Sequence, residues 1–183
     1  MKGSWILTVT VLLLALPAAL WWGWQERLEH SQDEPIRAAA RRYGVEPALV
    51  KALVWRESRF NPAARGRAGE LGLMQIQDLA AGEWADAEHI TGFNHALCLD
   101  PRTNTLAGTF YLAKLLKRYT KTDNPLPYAL ADYNAGRGNV VRWNNGAAAT
   151  NSAAFLTQIG FPTTSNYVVT VMNRYQHYRM RFK

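Results

Sequence analysis

Cysteine is almost missing from this chain: Cys98 is the single one in 183 residues. No internal disulfide can form, and no zinc site can be built on thiolates. A lone cysteine packs well as a small hydrophobe, so an oxidising compartment stays open. The four histidines (His30, His89, His95, His177) lack ligand spacing of the HExxH kind, so neither a metal nor any other cofactor is expected. Acidic residues are scarce, 14 against 21 basic ones, which leaves a formal charge of +7. Nucleic acid is the usual partner of such a chain. No nucleic-acid motif is visible, however, and the aromatics fall in helical apolar patterns, so no nucleic-acid partner is expected. A carboxylate-bearing polymer or an anionic lipid surface accounts for the charge equally well. Internal repeats and low-complexity stretches are absent. No segment alternates apolar and polar residues for long enough to build a sheet, which leaves an all-α fold.

One long apolar run is present. Residues Trp5 to Trp24 carry no charge. As a helix the run is about 30 Å long, the thickness of a bilayer core. Trp21, Trp22 and Trp24 crowd its far end, where an interfacial aromatic belt sits. A cleaved signal peptide is the rival reading, with Ala18 and Ala19 as cleavage candidates, but bulky Trp-Trp-Gly-Trp follows them directly. The expected organisation is a transmembrane anchor over 1–24, a polar tether over 25–34, and one domain over 35–183.

Within that domain, Pro35 opens a helix through IRAAARRY that ends at Gly44. Pro47 opens the next, where its missing N–H would have no partner anyway. Leu49, Val50, Leu53 and Val54 mark one buried face, and Glu57 continues it. A carboxylate there is costly to bury, and burial favours its neutral form. A proton held near neutral pH is what a general acid needs. The bland alternative is a solvated Glu flanked by Arg56 and Arg59.

Residues 61–71 read as a loop, and Gly72 as the lead into a helix through LMQIQDLAAGEWA. Asp100-Pro101 is a helix start, Asp as N-cap and Pro at the first position, for a purely structural helix reaching Tyr119. A shorter helix carries Tyr128 to Tyr133 and ends near Gly136. Residues 144–152 read as a mobile loop, and a last helix follows Pro162.

Read in order, Glu57-Ser58-Arg59-Phe60-Asn61-Pro62, Gly72-Leu73-Met74-Gln75-Ile76, Tyr133-Asn134-Ala135-Gly136 and Asn166-Tyr167-Val168 resemble the soluble-lytic-transglycosylase-like domain, a relative of goose-type lysozyme. The resemblance runs from about Pro35 to about Tyr178. It implies a lysozyme-like domain facing the periplasm from a single-pass anchor in a bacterial inner membrane, with peptidoglycan glycan strands as substrate. It gives Glu57 the role of acid and then base in non-hydrolytic cleavage, which forms a 1,6-anhydro sugar. It places Ser58, Met74, Gln75, Tyr133, Asn134 and Tyr167 around the substrate. Many relatives have a serine where this chain has Gly66, a small residue in place of Glu70, and an acid in place of Thr163. Glu70 is thus a candidate second carboxylate, and a water-using muramidase is the first alternative. Its structural reading is an ion pair with Arg65 or Arg67. A catalytically silent glycan-binding module in an envelope complex is the second alternative.

Overall fold

The computed structural model describes Pro17 and residues 19–182. Most of the run 5–24, and with it the anchor reading, lies outside the described residues. Among those described, no helix is long and apolar enough to cross a membrane.

The described part of α1 covers residues 19–30, and a turn at 31–32 separates it from α2 (Asp33–Tyr43). The stretch read as a tether is therefore largely helical, and its last two residues already belong to α2. Asp33 is one reason. Its Oδ1 accepts a hydrogen bond from Lys51 Nζ at 2.6 Å, and Lys51 is only 1% exposed. A buried ammonium requires such a partner. The same carboxylate lies in the first turn of α2, beside the positive end of the helix.

Helix α3 (Pro47–Ser58) is buried from Ala48 through Val54, on every side rather than on one face. An all-round apolar helix belongs inside a bundle. Helix α2 packs on one part of it and α9 (Pro162–Arg179) on another. The main core continues into α5 (Pro101–Arg118) and α6 (Pro125–Ala135) through Leu112, Leu115, Tyr128 and Leu130. A smaller core lies under α4 (Asp78–Ala87), where Trp84, Ile76 and Cys98 meet.

The helix expected from Gly72 begins only at Asp78. Leu71 and Ile76 exchange both backbone hydrogen bonds at 3.1 Å, closing a tight loop around Met74. Gly72 has φ +72°, and a methyl group there would overlap Asn104 Nδ2 and the Cys98 carbonyl. Only glycine suits that backbone and that space. Gln75 also has positive φ, at 46°. Local helical spacing loses here to a tertiary clamp: buried Asn104 donates to the carbonyls of Leu71 (2.8 Å) and Cys98 (2.6 Å) and accepts from Met74 N at 2.8 Å. Helix α5 holds this loop.

Asp100 caps α5 as expected, its Oδ1 accepting from Thr103 N at 2.8 Å. Helices α7 (Arg137–Trp143) and α8 (Ser152–Gln158) complete the fold, with 3₁₀ turns at His95–Leu99 and Gly146–Ala149. The stretch 144–152 is tied down rather than loose. Tyr128 Oη donates to the Ala148 carbonyl at 2.7 Å, and Asp123 receives Ser152 N at 2.8 Å.

Candidate active site

Glu57 occupies the last turn of α3, after which Arg59 and Phe60 both take left-handed backbone conformations and turn the chain away. Its carboxyl lies in a cleft of about 490 Å³ lined by Gly66, Glu70, Gln75, Ile76, Tyr111, Tyr133 and Asn134, among others. Burial raises its pKa from an ordinary 4.5 to about 7. A hydrogen bond from Tyr167 and the charge of Arg56 oppose that rise, and the charge of Glu70 adds to it. The C-terminal end of a helix also disfavours a carboxylate. A carboxyl half in its acid form at neutral pH can both give and take a proton.

Tyr167 donates to Glu57 Oε1 from the neighbouring helix α9 and is 1% exposed. It holds the Glu57 carboxyl and does not line the cleft. Tyr133 does line the cleft; its hydroxyl donates to the Met74 carbonyl at 2.7 Å and its ring tilts against Tyr111. Met74 itself is fully buried, so its side chain is core and its backbone holds Tyr133. Gln75 faces the cleft, yet its amide nitrogen is committed to the carbonyls of Ala64 (3.2 Å) and Gly72 (2.9 Å). Asn134 lines the cleft and accepts from Thr164 Oγ1 at 2.9 Å.

Ser58 faces a different groove altogether. One position beyond Glu57 turns it about 100° round the helix. It lines a separate groove with Trp21, Trp22, Trp24 and Trp55, and its hydroxyl donates to the Val54 carbonyl. Glu70 makes no ion pair with Arg65 or Arg67 among the described residues; it accepts from Ala68 N at 3.0 Å. Asp132 precedes the Tyr133 motif, but its carboxylate is taken by Arg118 (2.6 Å) and Tyr119 (2.7 Å). Among the described residues no cluster of His, Cys, Asp and Glu could hold a metal ion.

Sequence reading missed Tyr111 and Asn104. Asn104 left a signal: it lies on the same side of α5 as buried Leu112 and Leu115, and a polar residue on an apolar stripe implies a buried hydrogen-bonding task. Tyr111 left none, because an aromatic in that stripe reads as core.

The model of the transglycosylase SLT domain matches residues 34–156. The chain belongs to the SLT transglycosylase family. Over 125 residues it is 39% identical to the membrane-bound lytic murein transglycosylase C of Shigella sonnei (strain Ss046), a match covering 64% of this chain and 34% of that protein. It thus spans about a third of the length of that curated relative. Two solved structures share the SLT fold at similar identity. The 70-kDa soluble lytic transglycosylase of Escherichia coli superposes with a TM-score of 0.70 at 29% identity, over 82% of this chain and 24% of that one. A complex of the 70-kDa soluble lytic transglycosylase with bulgecin A superposes at 0.74 with 28% identity, over 100% of this chain and 29% of that one.

Proposed function

We propose that this SLT domain cleaves peptidoglycan as a lytic transglycosylase, with Glu57 as acid and then base. The observation that carries the reading is Glu57 itself: a half-buried carboxyl lining a cleft, held by Tyr167, with a pKa raised to about 7. Its proton passes to the glycosidic oxygen between MurNAc and GlcNAc as the C1–O bond breaks. The resulting carboxylate takes the proton of the C6 hydroxyl of the same MurNAc. That oxygen bonds to C1, and no water is consumed. The C6 hydroxyl is tethered to the reacting sugar, so its effective concentration far exceeds what free diffusion supplies. Tyr133, Asn134 and Gln75 line the path of the glycan strand.

Product mass decides the chemistry. Digested sacculi are expected to yield muropeptides ending in 1,6-anhydro-MurNAc, each lighter by one water than the hydrolysed form. A dominant reducing-end MurNAc would instead mark a muramidase, with Glu70 in the cleft as the carboxylate that activates water.

The domain is further proposed to face the periplasm from the inner membrane, held by the uncharged run 5–24. The Shigella relative is named membrane-bound. Full-length protein is expected to keep its N-terminus and to remain with membranes through high-salt washing. An intact mass lacking residues up to about Ala19 would rule out the anchor.

A further inference from the structure

Gly66 and Glu70 form a matched pair beside the acid. Gly66 does not have positive φ, so its backbone does not call for glycine. Its space does. A methyl group built there would overlap Glu70 Oε2 and come within 2.9 Å of Gln75 Oε1. The Glu70 carboxylate therefore fills the volume that a side chain at 66 would occupy. The loop backbone fixes it there: Ala68 N donates to Oε2 at 3.0 Å, and Gly66 N donates to the Glu70 carbonyl at 2.8 Å. Gln77 Nε2 approaches Oε1 at 3.5 Å. Glu57, Gly66 and Glu70 line one cleft.

We infer that Glu70 is a positioning residue for Glu57: its carboxyl group, lodged over Gly66 in the cleft that Glu57 lines, fills the space of a side chain at 66 and sets the polar wall that Glu57 faces. The inference rests on Glu57 being the acid of the proposed reaction. Four neighbours face Glu57 with charge or a titratable group. Arg56 comes from its own helix, Glu70 from the loop, Tyr133 from α6 and Tyr167 from α9. Burial favours the acid most, the Tyr167 hydrogen bond and Arg56 favour the carboxylate, and Glu70 adds to the side of the acid. Like charges near one another disfavour ionisation of the second. Without Glu70 the balance tips toward the carboxylate, and less of the enzyme carries a proton at neutral pH.

The test reads the proton directly. Carboxyl-labelled full-length protein in detergent micelles is titrated by carbon NMR, with the Glu57 resonance assigned by its loss in Glu57→Gln. The midpoint in Glu70→Gln is expected to move to lower pH, and the alkaline limb of cleavage with it. Thermal melting supplies the steric half. Gly66→Ser alone should lower the melting temperature, because serine and the Glu70 carboxylate compete for one space. Gly66→Ser with Glu70→Ala should recover most of that loss. If Glu70→Gln does not fold, the double variant supplies a Glu70-free protein for the same titration. An unmoved midpoint, or a Gly66→Ser variant that melts like the parent, overturns the pairing. Failure of the transglycosylase reading shows separately, in the mass of the products.

Discussion

Glu57→Gln is expected to reduce glycan cleavage by at least about 10²–10⁴-fold, the usual loss with a general acid, because one residue serves both proton transfers. The amide keeps the shape and can still receive the Tyr167 hydroxyl at its carbonyl oxygen, so the fold should survive. It should even gain stability at alkaline pH. The folded pKa of about 7 stands above the ordinary 4.5. Stability from this group is therefore full below about pH 4.5 and is lost as pH rises through about 7. The difference corresponds to at most roughly 3 kcal/mol, and water reaching the carboxyl from the cleft makes it smaller. Glu57→Gln should melt like the parent near pH 4 and above it near pH 8. Parent cleavage should fade as pH climbs past about 7, where the acid proton is gone. Turbidity clearing of purified sacculi beside thermal melting measures both. Near-normal clearing by a folded Glu57→Gln protein would refute the assignment.

Asn104→Ala is expected to be the most damaging change away from the acid. It leaves two buried backbone groups without partners, Met74 N–H and the Cys98 carbonyl, and takes from the Leu71 carbonyl one of its two partners, the other being Ile76 N–H. Each unsatisfied group costs roughly 1–3 kcal/mol, against a total stability on the order of 5–15 kcal/mol. The loop would also release Met74, whose carbonyl seats the Tyr133 hydroxyl, so cleavage should fall even with Glu57 intact. Asn104→Asp keeps the acceptor for Met74 N but sets an oxygen against the carbonyls of Leu71 and Cys98, so it should not rescue the loss. Urea denaturation gives the comparison; an Asn104→Ala midpoint matching the parent would show that the clamp is dispensable.

These residues show what sequence patterns carry and what they do not. The helix through Glu57 was readable because Pro47 and the apolar spacing agree, and α5 because Asp100-Pro101 caps it. The loop around Met74 was not. Its residues have helical spacing, and the force that bends them, Asn104, stands thirty positions further on. The direction of Ser58 was a matter of helical phase, and its place beside Glu57 in the motif hid the rotation between them. The lodging of Glu70 over Gly66 needed three dimensions, since a glycine missing a side chain gives no sign of what fills the gap.

Moving Glu57 by rolling or sliding its helix would have to unpack α2 and α9 together, because α3 is enclosed from Ala48 through Val54. No rolling or sliding of that helix is available at modest cost, since packed interiors do not deform smoothly. The rim of the cleft is built differently: Arg67, Ala68 and Gly69 stand exposed at its edge. Control over such a protein would therefore act as a stopper and not as a lever. A molecule seated at that rim would be expected to block the cleft and leave Glu57 where it stands.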